Sequence, residues 1–165
     1  MTPVVRKLAL ITHVVASVGW LGSVAAFLAL SIAGLIGKDP QRVRAAYLAM
    51  EMIGWFVIVP LSVASLVTGL IQSLGTEWGL FRHYWILIKL VLNVLASAVL
   101  LLHMMPIGHV ADIAATSVLG SDLHGIRVQL IADATAAIVV LLVATGLSII
   151  KPRGLTKYGR KRRTT

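Results

Sequence analysis

The chain contains no cysteine. That absence excludes disulfides, thiolate metal sites and thioether attachment of haem, so any metal or haem must be held by His, Met, carboxylate or Lys. Charge is scarce too: Asp, Glu, Lys and Arg together make up 13% of the residues, and only six residues are acidic. A chain so poor in charge cannot clothe a soluble domain.

Apolar residues take the place of charge. Of 165 residues 58% are hydrophobic and the mean hydropathy is +0.93, which points to an integral membrane protein. Four apolar segments, at about 8–36, 45–74, 84–105 and 123–150, each reach the roughly 20 residues needed to cross a bilayer. The expected fold is all-α: a polytopic antiparallel bundle of four transmembrane helices forming one domain over 1–150, with a basic tail at 151–165. The first segment follows Arg6 and Lys7 but is about twice as long as the h-region of a signal peptide, so it reads as a retained helix.

The net charge of +9 is concentrated after the last span, in Lys151, Arg153, Lys157, Arg160, Lys161, Arg162 and Arg163. Four spans place both termini on one side. That side carries ten Lys and Arg residues (Arg6, Lys7, Arg82 and the seven of the tail), against four on the other (Lys38, Arg42, Arg44, Arg127). The positive-inside rule then gives cytoplasmic termini and the cytoplasmic (inner) membrane as the location. The tail reads as a topology anchor touching anionic lipid headgroups, with no nucleic-acid role.

Gly37-Lys-Asp-Pro40 and Gly75-Thr-Glu-Trp-Gly79 predict tight turns, one outer and one inner. Between Pro106 and Ser121, Ile107, Val110, Ile113, Ala114 and Val118 recur at helical spacing, which predicts a short helix on the outer interface. Val67-Thr-Gly-Leu70 with Thr76-Glu-Trp-Gly79, and Thr145-Gly-Leu147 with Thr156-Lys-Tyr-Gly159, suggest two repeated helical hairpins. Pro60 should bend the second helix and release a carbonyl near Phe56.

Polar residues inside the spans are the functional clue, since each is costly in hydrocarbon. In helix three Lys89, Asn93, Ala96, Leu100 and His103 recur every three or four residues and so share one face. Helix two repeats this spacing in Glu51, Trp55, Ile58, Ser62, Ser65, Gly69 and Gln72, and helix one in His13, Ser17, Trp20, Val24 and Phe27. Such stripes face a partly polar bundle interior, and a homo-oligomer or a membrane partner stands among the expectations.

Depth separates two candidate sites. Lys89 and His103 are fourteen residues apart, about 21 Å along a helix, and cannot meet at one metal ion. His13 and Lys89 enter from the cytoplasmic side at similar depth, and the deep Trp20 and Trp55 are candidates to wall a cofactor. Toward the outside, Met50-Glu51-Met52 and His103-Met104-Met105 gather thioethers and an imidazole, ligand types that suit Cu(I). The competing explanations are local: Lys89 snorkels to the interface, Glu51 pairs with Arg44, Asp133 with Arg127, and the methionines pack.

At His13-x6-Trp20-Leu-Gly22, Thr68-Gly-Leu70 and Trp85-x3-Lys89 the chain resembles an uncharacterised bacterial family of predicted four-helix integral membrane proteins. Over about 7–103 its pattern is also similar to the haem-containing membrane protoporphyrinogen oxidase and to the membrane domain of copper-resistance protein D. The resemblance to the oxidase implies that His13 and Lys89 are the functional pair. The chain departs from that enzyme after Trp20, where Val24-Ala-Ala-Phe27 replaces a Pro-Arg element.

Three functions are therefore expected in competition. The first is a b-type haem-binding or redox-related protein with His13 as axial ligand, Lys89 as second ligand or propionate partner, and Trp20 as wall. The second is copper binding or transport through His103, Glu51 and Met104. The third is a non-catalytic structural membrane subunit whose polar stripes specify packing.

Overall fold

A computed structural model of the protein describes residues 2–75, 83–117, 119–150 and Thr156. The basic tail apart from Thr156, and the 76–82 connection with Trp78 and Arg82, lie outside the described residues, as does Val118. Four helices are long and apolar enough to cross a membrane: α1 (Pro3–Ile36), α2 (Pro40–Gly75), α3 (Tyr84–Thr116) and α4 (His124–Ile150). The expected all-α bundle is thus the fold.

Local chemistry sets the helix ends. Thr2 caps α1 by accepting the Val5 N–H at 3.4 Å, with Pro3 at the first helical position, where its missing N–H costs nothing. At the other end of α1 the Gly37 N–H closes onto the Ala33 carbonyl at 3.0 Å. Asp39 then caps α2, accepting from the Gln41 N–H at 3.0 Å, and Pro40 again takes the first position. The Gly37-to-Pro40 turn is therefore as tight as its sequence predicts.

The helices form a ring in which α1 packs on α2 and α4, and α3 on the same two, so that α1 and α3 face each other across the bundle. The core contains Trp20, Val24 and Phe27 of α1, Tyr47, Met50 and Ile58 of α2, Met104, Ile107 and Val110 of α3, and Leu130, Ala134 and Leu141 of α4. Outward residues such as Val15, Val18, Phe56, Leu102 and Leu142 are exposed hydrophobics, as lipid-facing positions require.

Two features depart from the sequence reading. The 107–116 segment is helical, but it continues α3 rather than forming a separate interfacial helix, and Pro106 lies inside α3. With 33 residues, α3 is about 50 Å long, well beyond the roughly 30 Å of hydrocarbon. Its far end is stabilised by packing on the first half of α2, where Ile107, Val110, Ala111 and Ala114 are buried together with Val43, Ala46, Tyr47 and Met50.

The second departure is a π-helical turn in α2 at Gly54–Ile58, closed by the Val59 N–H donating to the Gly54 carbonyl. Pro60, which has no N–H to give, follows immediately, and a wider turn is one way a helix absorbs that loss. The turn inserts one residue into the helical register. Gly54 and Ile58 consequently face the core while Trp55 is 48% exposed. The expectation that Trp55 lines the interior is corrected: Gly54 holds that place.

Candidate functional site

The expected pair comes together. His13 on α1 and Lys89 on α3, 76 residues apart in sequence, meet with Nε2 and Nζ 3.3 Å apart. Lys89 does not snorkel outward; it reaches across the ring of helices and donates to Ser148 Oγ of α4 at 2.7 Å. His13 also contacts α2, where Nδ1 lies 3.1 Å from the Ser65 carbonyl oxygen and 3.1 Å from Thr68 Oγ1. One cluster therefore joins all four helices.

Donors and acceptors fix its polarity. A carbonyl oxygen only accepts, so the Ser65 carbonyl places the proton of a neutral His13 on Nδ1. Thr68 spends its hydroxyl proton on the Ala64 carbonyl at 2.6 Å, which leaves Oγ1 as an acceptor for the same Nδ1–H. Nε2 then carries a lone pair aimed at Lys89. Ser148 likewise donates to the Ala144 carbonyl at 3.0 Å and accepts from Lys89. The direction runs from Lys89 to both neighbours, and two of the three N–H bonds of its ammonium form are used.

The imidazole is buried against α2, while Lys89, Thr68 and Ser148 are half-buried. His13 is 8% exposed, and a Cβ built on Gly69 meets His13 Cε1 at 3.2 Å, so α2 offers the imidazole a flat backbone surface. Ser17 and Ser65 share a 2.8 Å hydrogen bond one turn deeper, and Gln72 donates to the Ala9 carbonyl at 2.9 Å on the opposite side. Trp20 is buried at 2% exposure, two turns along α1 and about 10 Å from the His13 level. It walls the bundle interior beyond the pair.

Ser148 was absent from the sequence reading, yet a signal for it existed. The buried face of α4 runs through Leu130, Ala134, Leu141 and Ala144, and the next position in that three-four spacing is Ser148.

The residues of the copper reading diverge. His103 donates from Nδ1 to the Val99 carbonyl at 2.7 Å, and its Nε2 faces α4, 2.8 Å from Asp133 Oδ2 and 3.2 Å from Gln129 Nε2. Glu51 instead lies over Gly108, where a Cβ would be 3.6 Å from its Oε1. Met104 is buried in the core against Gly54. Among the described residues no group of three His, Asp or Glu side chains is placed to share a metal ion. Neither local pairing expected from sequence forms: Asp133 pairs with His103, and Arg127 instead donates to Tyr47 Oη at 2.9 Å and to the Gly34 and Leu35 carbonyls at 2.6 and 3.3 Å. Glu51 and Arg44 make no ion pair.

No protein-family model, curated protein or solved structure matches this chain. The case for function rests on the site itself.

Proposed function

We propose that this multi-pass membrane protein, with both termini in the cytoplasm, is a haem b-binding, redox-related protein centred on His13. The observation that carries this reading is the orientation of the imidazole. Its Nδ1–H is committed to the Ser65 carbonyl, and its Nε2 lone pair points into the bundle. A backbone carbonyl behind the distal nitrogen is the usual support of a ligating histidine, because it fixes the tautomer and raises the basicity of the ligating nitrogen.

The donor set fits haem b in kind. It provides one imidazole nitrogen, an ammonium of matching charge for a propionate carboxylate, and buried apolar walls that include Trp20. A bound haem would supply one-electron chemistry. Lys89 now stands 3.3 Å from Nε2, in the ligand direction, so the reading assigns it to the propionate rather than to the iron. Purified protein from haem-replete cells should show a Soret band that His13→Ala abolishes and Lys89→Met shifts or weakens. Protein that stays colourless after haem addition, with no iron or copper on metal analysis, would sink the proposal.

A specific observation favours a second reading, that of a structural subunit. The cluster ties four helices and already satisfies Nδ1, Nε2 and both hydroxyl groups. Closed polar networks of this kind specify packing without any ligand. In that case replacing both His13 and Lys89 by apolar residues leaves a stable protein and an unchanged cellular phenotype.

A further inference from the structure

A second site lies at the end of the bundle remote from the termini. There the α1–α2 turn, the end of α3 and the start of α4 border an open cleft of about 390 Å³, within the size range of small-ligand pockets. Lys38, Arg44 and Arg127 line it, and among the described residues no Asp or Glu does. Val43, Ala114 and Leu119 give it an apolar side. Three cations around one apolar-backed cleft, in a chain with so few charges, call for an anionic partner.

The cations differ in their freedom. Arg127 is held by Tyr47 Oη and by the Gly34 and Leu35 carbonyls at the end of α1, bonds made through Nε and Nη2. Its guanidinium also lies 5.6 Å from the Tyr47 ring centroid, so its position is fixed by these four contacts, while Nη1 makes no hydrogen bond among the described residues. Lys38 and Arg44 have no carboxylate partner there either, whereas Arg42, on the same turn, pairs with Asp39 at 3.4 Å. The Thr116 and Ser117 hydroxyls spend their protons on helix carbonyls. Recognition therefore falls to the cations, one anchored and two exposed without a carboxylate partner among the described residues.

The geometry points to a phosphate-binding site formed by Lys38, Arg44 and Arg127, taking a phosphate ester whose apolar part lies along Val43 and Leu119. Guanidinium groups suit the planar, multidentate recognition of phosphate, and basic pockets between transmembrane helices take lipid headgroups. The phosphate source is an anionic phospholipid headgroup or free phosphate, and the probes below separate the two.

The test uses the full-length protein in neutral detergent micelles. Short-chain phosphatidylglycerol, short-chain phosphatidylcholine and inorganic phosphate are titrated separately, with binding read by native mass spectrometry and calorimetry. The double variant Lys38→Gln/Arg44→Gln should weaken phosphatidylglycerol binding about tenfold or more. Arg42→Gln, which removes a paired cation outside the cleft, should leave it unchanged. All titrations are repeated on a chain whose seven tail cations are Gln, so that attraction by the tail cannot mimic the effect.

Binding of phosphatidylglycerol alone, with that loss, assigns a lipid headgroup. Phosphate that binds and competes assigns a free phosphate ligand. Equal losses for Arg42→Gln and the double variant, or no loss for either, overturn the site. Lys38 and Arg44 are exposed and make no ion pair among the described residues, so the double variant folds even if Arg127→Gln does not.

Discussion

Gly34 of α1 lies flat against the Tyr47 ring of α2, so close that a Cβ built on the glycine meets Cε2 and Cζ at 2.8 Å. Tyr47 is 1% exposed and its hydroxyl accepts from Arg127, which is itself tied to the Gly34 carbonyl. The glycine is thus the condition for a three-helix junction of α1, α2 and α4.

Gly34→Ala should accordingly destabilise the protein by about 1–3 kcal/mol, the usual range for overpacking a rigid contact. Gly54→Ala is a fair comparison, since its Cβ would meet Met104 Cε at 2.7 Å. There the obstacle is the free end of a flexible thioether chain, which can turn aside, so the loss should stay under about 1 kcal/mol. Gly22→Ala meets nothing within 4 Å and should be neutral. Unfolding midpoints in mixed detergent micelles check the order; equal losses at positions 34 and 54 would contradict it.

The His13–Lys89 contact should show strong non-additivity. Lys89→Met leaves the Nε2 lone pair of His13 facing an apolar neighbour, and His13→Leu leaves Lys89 with Ser148 as its one bonded partner in the cluster. Each single change should cost about 1–2 kcal/mol, within the measured span for interhelical hydrogen bonds in membranes. The double change removes both polar partners at once and should cost less than the sum of the singles, with a coupling of about 0.5–2 kcal/mol. Simple additivity would mean that the two side chains do not interact.

His103 and Asp133 connect α3 to α4 at 2.8 Å, with side chains 22% and 31% exposed. Interhelical hydrogen bonds in membranes average about 0.6 kcal/mol, so a double-mutant cycle over His103→Ala and Asp133→Ala should give a coupling of no more than about 1 kcal/mol. Gln129, 3.2 Å from the same ring nitrogen, should show a smaller coupling still. A coupling well above the His13–Lys89 value would move attention from the inner cluster to this one.

The polar stripes made the inner site legible before any coordinates. Their three-four spacing placed His13, Lys89, Ser65 and Trp20 on inward faces, and depth paired the first two correctly. Ser148 escaped because helix four was read by hydropathy, in which a single serine hardly registers. At the end of the bundle remote from the termini the reading slipped by one position. The interface there runs through Val43, Tyr47 and Met50 rather than Glu51, and the π turn that moves Trp55 outward depends on how Pro60 is accommodated, which composition does not encode. Pro106 misled in the opposite sense: proline predicts a helix break, yet α3 continues through it because Ile107, Val110 and Ala114 gain buried contacts on α2.

The absence of cysteine makes the membrane orientation directly testable, because one introduced thiol is the only thiol in the molecule. With cytoplasmic termini, Gln41→Cys and Asp122→Cys, both at exposed positions, lie on the outer side, and Thr2→Cys lies inside. A membrane-impermeant maleimide should label positions 41 and 122 in intact cells and position 2 only after permeabilisation. The prediction depends on the tail, since the α1–α2 turn and the start of α2 themselves carry Lys38, Arg42 and Arg44. Replacing the seven tail cations by Gln reduces the termini side from ten Lys and Arg to three, against four on the other, and should produce a mixed population in which all three positions label partially. Labelling of Thr2→Cys in intact cells expressing the unaltered tail would invert the topology, and would place the His13–Lys89 cluster near the outer face.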